Sequence, residues 1–242
     1  MFTHYRTRGF VIKKEDKGEA DRLFTFFTED FGKLELLARA ERKIGSKLRA
    51  GLEIFYLSEI EFIQGKNQKT LTDSILINKF PNLRADFKKS KVAYAIGGIV
   101  NRLVKGQEQE RKIWDLLKEV FGELNKNSSR IQTWSLIYYY FLWNLLSFLG
   151  YELELQRCVL CQRKLRPEDV FFSSRDGGAV CGGCRKSVKE PEKISSNVIK
   201  VLRIFLKRDL KTLGRLIIGE KEMKEISSFS KRYLSEVLEK IE

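Results

Sequence analysis

The sequence predicts an α+β protein in which a small N-terminal β-barrel is followed by a helical domain with a four-cysteine insertion. Three observations support this fold class. Residues 1–80 contain short apolar runs bounded by turn residues. After Pro81 the spacing of apolar residues becomes helical. All four cysteines of the 242-residue chain lie between Cys158 and Cys184. The predicted segments are therefore a barrel over 1–80, a helical domain over 81–155 and 191–242, and a cysteine module over 156–190.

The first eighty residues contain five candidate strands. Turn sequences such as Lys17-Gly18 and Asp30-Phe31-Gly32 separate them. Between residues 53 and 63 apolar and acidic side chains partly alternate, as they do on a half-buried strand. Five short strands in eighty residues favour a barrel over an open sheet. The strands are predicted at residues 8–14, 23–28, 33–38, 53–63 and 71–77, with a brief helix near residues 46–52.

Apolar residues at helical spacing predict the remaining elements. Ser195 and Ser196 are candidate N-caps for the helix that follows the cysteines. The apolar faces of the first two predicted helices consist of Val92, Ile96, Ile99, Val100 and Leu103, and of Ile113, Leu116, Leu117, Val120, Phe121 and Leu124. Beyond the cysteines the pattern continues with Val198, Val201, Leu202, Phe205 and Leu206, and with Met223, Ile226, Tyr233, Leu234, Val237, Leu238 and Ile241.

One uncharged segment, residues 132–151, is long enough to cross a bilayer. It is equally typical of the central helix of a helical bundle, which is apolar on nearly all sides. Polar residues such as Asn144 and Ser147, and three consecutive tyrosines at its centre, favour the buried helix. We therefore expect no membrane partner. The N-terminus has no apolar region and no cleavage site of a secretory signal, so a cytoplasmic location is expected.

The cysteines form two Cys-x-x-Cys pairs, Cys158 with Cys161 and Cys181 with Cys184, separated by nineteen residues. This spacing is typical of a zinc-ribbon-like site with four thiolate ligands. The residues between the pairs predict a hairpin with strands at 170–172 and 179–180. Gly182 and Gly183 are expected to permit a tight turn around the ion. Five cations nearby would offset the negative charge of the thiolates: Arg157, Arg163, Lys164, Arg185 and Lys186.

Other uses of four cysteines agree less well with this sequence. Disulfides are typical of secreted chains, and no secretory signal is visible. A thioredoxin-type redox motif has one such pair in a βαβ setting. An iron–sulfur cluster also takes four cysteines and remains an alternative, although the paired spacing favours zinc. Because four protein ligands leave no position for water, one structural Zn²⁺ is predicted.

The charge of the chain favours polyanionic partners. It contains 46 Lys and Arg against 32 Asp and Glu, a formal net charge of +14. The excess is spread along the chain, so solvated lysines on helix faces would also explain it.

One strongly basic stretch follows the third predicted strand, over residues 38–49. On a small barrel, a basic loop is a track for a phosphate backbone, although a solvated loop is the simpler explanation. Tyr5, Phe10 and Phe26 are candidates for stacking on bases, although most aromatic residues of such a barrel belong to its core. The predicted DNA-binding residues are Arg39, Arg42, Lys43, Lys47 and Arg49, bordered by Arg22 and Lys33.

Catalysis is not expected. The chain has one histidine, His4, so a Ser-His-Asp or Cys-His arrangement would depend on a residue next to the N-terminus. A phosphate-binding loop of the type G-x-x-x-x-G-K-[ST] is absent. Acidic residues are scattered, and a carboxylate-dependent nuclease remains an open alternative.

Several motifs resemble the RecO family of bacterial DNA-repair recombination mediators. They are Gly9-Phe10-Val11-Ile12-Lys13, Gly18-Glu19-Ala20-Asp21-Arg22-Leu23, Phe27-Thr28, Gly32-Lys33 and Ser46-Lys47-Leu48-Arg49. The order of barrel, helices, cysteine pairs and helices is also similar to that family over essentially the whole chain. Family members usually have a glycine just before the loop arginine, where this chain has Ala40 and Glu41 before Arg42. Some members lack the cysteines, which implies that zinc supports the fold.

The resemblance implies that the barrel is an OB-fold and that the protein acts without catalytic turnover. It would bind single- and double-stranded DNA, anneal complementary strands and join RecR. With RecR it would help RecA load onto DNA coated by single-stranded-DNA-binding protein, in association with the nucleoid. The competing hypothesis is a zinc-ribbon scaffold or adaptor whose positive charge serves acidic protein partners.

The resemblance also implies that the helical domain holds the acidic, hydrophobic C-terminal tail of the single-stranded-DNA-binding protein. A groove between helices that carry cations would suit such a tail, although solvated helix faces explain the same cations. The candidate cations are Lys88, Lys89, Lys91, Arg102 and Lys105 near the first helix, and Lys200, Arg203 and Lys207 on a later one.

Overall fold

The computed structural model describes residues 3–127, 134–166 and 170–241. The chain divides into two compact units, residues 1–128 and 129–242. The first contains the barrel and three helices, and the second contains the cysteines and four helices within the described ranges. The finer division of the chain into four segments stays a prediction.

Five strands close into a barrel in the order β1-β2-β3-β5-β4, which is the Greek-key arrangement of an OB-fold. The first strand closes the barrel, because it pairs with β2 from Gly9 to Lys17 and with β4 from His4 to Phe10. The strands are β1 (His4–Lys17), β2 (Asp21–Thr28), β3 (Gly32–Ala38), β4 (Leu57–Gln64) and β5 (Lys69–Asn78). A short 3-10 helix over Lys47–Gly51 lies between β3 and β4. The predicted α+β class with an N-terminal barrel is therefore confirmed.

Aromatic side chains fill both faces of the barrel wall. Phe26 is fully buried, and Phe10 packs against Trp114 and Phe121, with ring centroids 5.0 and 5.2 Å apart. Tyr5 stacks on Phe62 at 5.2 Å. The prediction that Phe10 and Phe26 offer ring faces to bases is wrong, because the core uses both rings.

The three helices of the first unit are α1 (Pro81–Ala85), α2 (Phe87–Leu103) and α3 (Arg111–Leu124). The Asp86 carboxylate caps α2 by accepting hydrogen bonds from the backbone N–H groups of Lys88 and Lys89. The buried Glu29 carboxylate links the barrel to α3, because it pairs with Arg8 at 2.6 Å and with Arg111 at 2.7 Å. All eleven apolar residues predicted for the faces of α2 and α3 are buried.

In the second unit, α4 (Trp134–Phe148) is the central helix. The Trp143 indole donates to the Ser230 hydroxyl at 3.1 Å and stacks on Phe229. The buried Asn144 amide donates to the carbonyls of Tyr140 and Phe205, so one polar residue joins two helices. Residues 132 and 133, the predicted start of this helix, lie outside the described residues. Within the described ranges, no helix combines the length and apolar character needed to cross a membrane.

The remaining elements surround α4 and form the cysteine module. The helices are α5 (Ser196–Leu206), α6 (Leu210–Leu213) and α7 (Glu220–Ile241). Ser195 caps α5, as predicted, by accepting a hydrogen bond from the Val198 N–H. A three-stranded sheet has the order β7-β6-β8, with β6 (Val170–Ser173), β7 (Gly178–Cys181) and β8 (Glu192–Lys193). The predicted hairpin between the cysteine pairs is therefore confirmed.

Candidate metal centre and candidate nucleic-acid interface

The four cysteine sulfurs lie within 4.8 Å of one another, in a cluster that could hold a metal ion. Cys161 Sγ and Cys181 Sγ, one from each pair, are 3.7 Å apart. Four sulfurs at 2.3 Å from a tetrahedral zinc would be about 3.8 Å from one another. A disulfide would require about 2.05 Å, and all four cysteines are free. The arrangement therefore fits one ion with four thiolate ligands.

Backbone hydrogen bonds shape the turn that carries the first pair. The Cys158 N–H donates to Arg163 O, and the Gln162 N–H donates back to Cys158 O, both at 2.9 Å. Gln162 has a left-handed backbone with φ of 60°. The Val159 N–H donates to Ala179 O at 3.0 Å, so this turn is attached to β7, which ends at Cys181. The hairpin thus brings the two pairs together.

Without a metal, the four thiols cannot all ionise together. Burial opposes ionisation of Cys158, but hydrogen bonds from the backbone of Cys161, Cys181 and Leu160 lower its pKa to about 6. Hydrogen bonding with the thiols of Cys161 and Cys181 raises the pKa of Cys184 to about 12. A bound dication would stabilise the thiolate form of every ligand.

The glycine that this hairpin needs is Gly178. A Cβ atom there would lie 2.4 Å from Val159 Cγ1 and 2.8 Å from Glu154 O. Gly183 has no positive φ, and its Cβ would lie 4.0 Å from Cys181 Sγ, an ordinary contact. The backbone at Gly183 is therefore unhindered, and the turn does not depend on glycine at this position.

The basic stretch of the barrel forms an exposed loop that is attached at both ends. At its start, the Ala40 N–H donates to Asp21 Oδ1 at 2.7 Å and the Arg42 N–H donates to Ala20 O at 3.0 Å. At its end, the Ser74 hydroxyl of β5 donates to Leu48 O at 2.9 Å. The five cations predicted there are all exposed: Arg39, Arg42, Lys43, Lys47 and Arg49.

These loop cations differ in their partners. Arg42 donates to Gly18 O at 3.2 Å and lies 3.4 Å from an Asp16 oxygen. No acidic residue of the described chain pairs with Arg39, Lys43, Lys47 or Arg49. The loop therefore offers several cations whose charge is not offset by an ion pair.

The two cations expected to border the loop make contacts within the protein. Arg22 pairs with Asp16 at 2.8 Å and with the buried Glu41 at 3.1 Å. Lys33 Nζ donates to Asn101 O, near the C-terminus of α2, at 2.7 Å. Burial of Lys33 lowers its pKa. Both residues link the barrel to neighbouring chain segments.

The second unit contains a cavity of about 1450 Å³ that the sequence did not reveal. Its lining combines cations, apolar side chains and two acids: Arg203 and Lys207 of α5, Arg157, Lys164, Leu165, Glu152 and Glu154. The Glu154 carboxylate accepts hydrogen bonds from the N–H groups of Gln156 and Arg157. The Arg203 guanidinium donates to Leu155 O, while its Nε atom is buried without a partner in the described part of the chain. Among the cations predicted near the first helix, Lys89 is buried and donates to Lys126 O at 2.8 Å. The expectation that Lys89 is a surface cation is therefore wrong.

An OB-fold barrel joined to a helical unit with a four-cysteine cluster defines the class of this protein: a barrel protein with a cysteine module that could hold a metal. Residues 1–80 match the family described as Recombination protein O N terminal, and residues 84–242 match Recombination protein O C terminal. The chain therefore belongs to the RecO family, and its role is in DNA repair by recombination.

Similar proteins are found in several bacteria. A DNA repair protein RecO of Dehalococcoides mccartyi strain 195 is 31% identical over 236 residues, 98% of this chain and 91% of that protein. The protein of the same name from Roseiflexus sp. strain RS-1 is 30% identical, over 98% of this chain and 82% of its own length. That of Syntrophomonas wolfei is 30% identical, over 93% of this chain and 88% of its own length.

Proposed function

We propose that the protein is a DNA-binding recombination mediator without catalytic turnover. It binds single- and double-stranded DNA, anneals complementary strands and, with RecR, helps RecA load onto DNA coated by single-stranded-DNA-binding protein. The observation that carries the proposal is the exposed basic loop of the OB-fold barrel, where Arg39, Lys43, Lys47 and Arg49 lack acidic partners within the described chain. Phosphates would supply the missing negative charges. The protein would act in the bacterial cytoplasm, on the nucleoid.

The loop suits a sequence-independent contact. Its cations are flexible point charges and guanidinium groups, which bind phosphates without reading base edges. Arg42 is held by Gly18 O, so its position is set before DNA arrives. A mediator that meets DNA of every sequence needs this kind of contact.

The metal in the four-thiol centre is proposed to be one structural Zn²⁺, ligated by Cys158, Cys161, Cys181 and Cys184. The sulfur separations support this ion, as does the softness of thiolate ligands. Zinc would hold the two turns together and would supply no reaction step, because all four ligand positions belong to the protein.

The protein would act on coated DNA by shifting an equilibrium, because the sequence contains no phosphate-binding loop for ATP. We propose that the cavity of the second unit binds the acidic, hydrophobic tail of the coat protein. Arg203 and Lys207 would meet the carboxylates, while Leu165 and Leu206 would contact apolar side chains. Such a contact would hold the coat protein while the barrel binds exposed DNA.

A triple variant of the loop tests the DNA-binding surface. Replacing Arg42, Lys43 and Lys47 by Ala should weaken DNA of any sequence. Each phosphate that is no longer neutralised should reduce the salt slope for a single strand by about 0.7. A control variant with the same change of charge replaces the exposed Lys211, Lys221 and Lys224 by Ala. Equal affinities and slopes for the two folded variants would assign DNA binding to another surface.

Strand annealing tests the proposed activity. Complementary oligonucleotides coated with single-stranded-DNA-binding protein should anneal faster with the protein than without it. A labelled tail peptide should bind with an affinity that falls as salt rises, and the triple loop variant should still bind it. Cleavage of the strands with Mg²⁺ would instead support a nuclease. Absence of DNA binding at low salt would favour the adaptor for acidic proteins.

A further inference from the structure

One face of α2 presents two aromatic rings to solvent. Phe87 is 83% exposed and Tyr94 is 59% exposed. Within the described ranges, no other Phe, Tyr or Trp side chain is exposed. Since large apolar groups are ordinarily buried, two such rings on a single helix indicate an interaction surface.

Helical geometry places the two rings on one stripe. Phe87, Lys91, Tyr94 and Gly98 are spaced by four, three and four residues, and all four are exposed. The two aromatic positions are therefore about 10 Å apart along the helix axis. A Cβ atom at Gly98 would meet no atom within 4 Å, so the surface beyond Tyr94 is open.

Positive charge predominates on this face, although the Asp86 carboxylate caps the start of the helix. Residues 87–107 contain no Asp or Glu. Lys88 and Lys91 are exposed next to the rings, and neither pairs with an acidic residue of the described chain. The α2 face, defined as Phe87, Lys88, Lys91 and Tyr94, thus combines ring surfaces with uncompensated cations.

The position of the Tyr94 ring is fixed by the barrel. It makes an edge-to-face contact with Phe55, with centroids 4.7 Å apart and planes at 74°. Phe55 is buried, and its N–H donates to Val11 O at 2.9 Å. The ring is therefore held in place without being covered, which reduces the entropic cost when a ligand stacks on it.

We infer that the α2 face binds single-stranded nucleic acid, with unpaired bases stacked on Phe87 and Tyr94 and phosphates next to Lys88 and Lys91. This inference rests on the proposed function and adds a second DNA-binding surface to the basic loop of the barrel. Unpaired bases expose flat faces that stack on aromatic rings, whereas a duplex keeps those faces inside its own stack. Among the barrel rings first considered for stacking, Phe10 and Phe26 are buried, and the partly exposed Tyr5 already stacks on Phe62. The basic loop would bind the phosphate backbone of single- and double-stranded DNA alike, whereas the α2 face would favour single strands.

Alanine variants test this preference. Phe87→Ala and Tyr94→Ala should each lower the affinity for an oligo(dT) strand about tenfold, with little effect on a duplex of the same length. Tyr94→Phe should keep the single-strand affinity, because it keeps the ring. Ile217→Ala is the matched control, since Ile217 is 86% exposed and lies in the second unit. Thermal melting checks that each variant is folded.

A fluorescent variant tests the contact directly. In Phe87→Trp the new indole should be quenched on addition of oligo(dT) and unchanged on addition of the duplex. Of the three native tryptophans, Trp114 and Trp143 are buried and Trp134 is partly exposed, so the unaltered protein titrated in the same way supplies the background. Unquenched fluorescence at saturating oligo(dT) would overturn the inference.

The outcomes separate this inference from the proposed function. If the loop triple variant fails to bind DNA while Phe87→Ala and Tyr94→Ala bind oligo(dT) normally, the inference is wrong and the proposed function stands. The inference would also be overturned if Phe87→Ala and Tyr94→Ala weakened binding to the single strand and the duplex equally, or if they weakened only the binding of a protein partner. If the unaltered protein binds no DNA at low salt, the proposed function fails and the inference fails with it.

Discussion

The Nη1 atom of Arg22 lies 3.1 Å from Oε2 of Glu41, a carboxylate whose side chain is only 1% exposed. The Arg22 Nε atom also donates to Asp16 Oδ1 at 2.8 Å, and this hydrogen bond lowers the pKa of the Asp16 carboxyl. Glu41 stands at the start of the basic loop, and Asp16 stands at the end of β1. Arg22 therefore attaches the loop to the β1–β2 hairpin.

The first prediction is that Arg22→Ala destabilises the protein strongly. The substitution leaves the Glu41 carboxylate buried without its cation, a change that costs roughly 3–5 kcal/mol at fully buried pairs. Because Arg22 is partly exposed and water can reach its position, we expect a decrease of about 2–3 kcal/mol in the free energy of unfolding. Urea denaturation measures it.

Arg39→Ala is the control for this prediction. Arg39 is an exposed cation of the same loop, and its removal should change stability by about 0.5 kcal/mol or less. Equal stabilities of the two variants would mean that Glu41 does not depend on Arg22.

The sequence predicted the elements well because periodicity reports which face is buried. The strands and helices were located by repeats of apolar residues, and the structure buries most of them, with Ile75, Leu76 and Ile77 of β5 as exposed exceptions. Periodicity also contained an unused signal: Phe87 and Tyr94 fall outside the stripe of Val92, Ile96 and Ile99 and are therefore expected to be exposed.

The direction of long charged side chains could not be predicted from the sequence. The sequence does not distinguish Lys33, Lys43 and Lys89. In the structure, Lys33 and Lys89 donate to backbone carbonyls, whereas Lys43 is exposed. The acceptors, Asn101 and Lys126, are distant in sequence, so only the tertiary fold brings them close. The same is true of the cavity in the second unit.

The second prediction concerns Ala40, which has a left-handed backbone with φ of 52°. This conformation costs an L-residue roughly 1–2 kcal/mol, and glycine adopts it freely. Ala40→Gly should therefore stabilise the protein by about 0.5–1 kcal/mol, after the greater freedom of glycine in the unfolded chain is deducted. Ala50→Gly, in the short 3-10 helix of the same loop, should destabilise it slightly. If both glycine substitutions stabilised the protein, or if neither did, the backbone of Ala40 would not be strained as we infer.

The third prediction concerns the hairpin of the metal module. Gly178→Ala would place a methyl group 2.4 Å from the side-chain atom Val159 Cγ1 and 2.8 Å from the backbone atom Glu154 O. The carbonyl of Glu154 cannot move away as easily as a side chain can. We expect a decrease in stability of about 2–3 kcal/mol, at the upper end of overpacking effects, and weaker metal retention, since Val159 follows the ligand Cys158. Gly183→Ala should cost about 1 kcal/mol or less, because its methyl group makes an ordinary contact. If Gly183→Ala lowered the stability more than Gly178→Ala, the turn around the metal would be the position that requires glycine.

The last prediction concerns the metal itself. Protein purified without added zinc should contain about one equivalent, and Cys181→Ser should lower both the zinc content and the melting temperature. Binding a metal only in the folded state stabilises that state, so removing one of four ligands costs stability on the order of several kcal/mol. The basic loop lies in the other compact unit, so whatever remains folded should keep the salt slope of DNA binding. Chelation should reproduce the effect of Cys181→Ser and should have little further effect on the variant. A metal-free native protein with a disulfide among these cysteines would contradict the prediction, as would a Cys181→Ser variant that keeps its stability but no longer binds DNA.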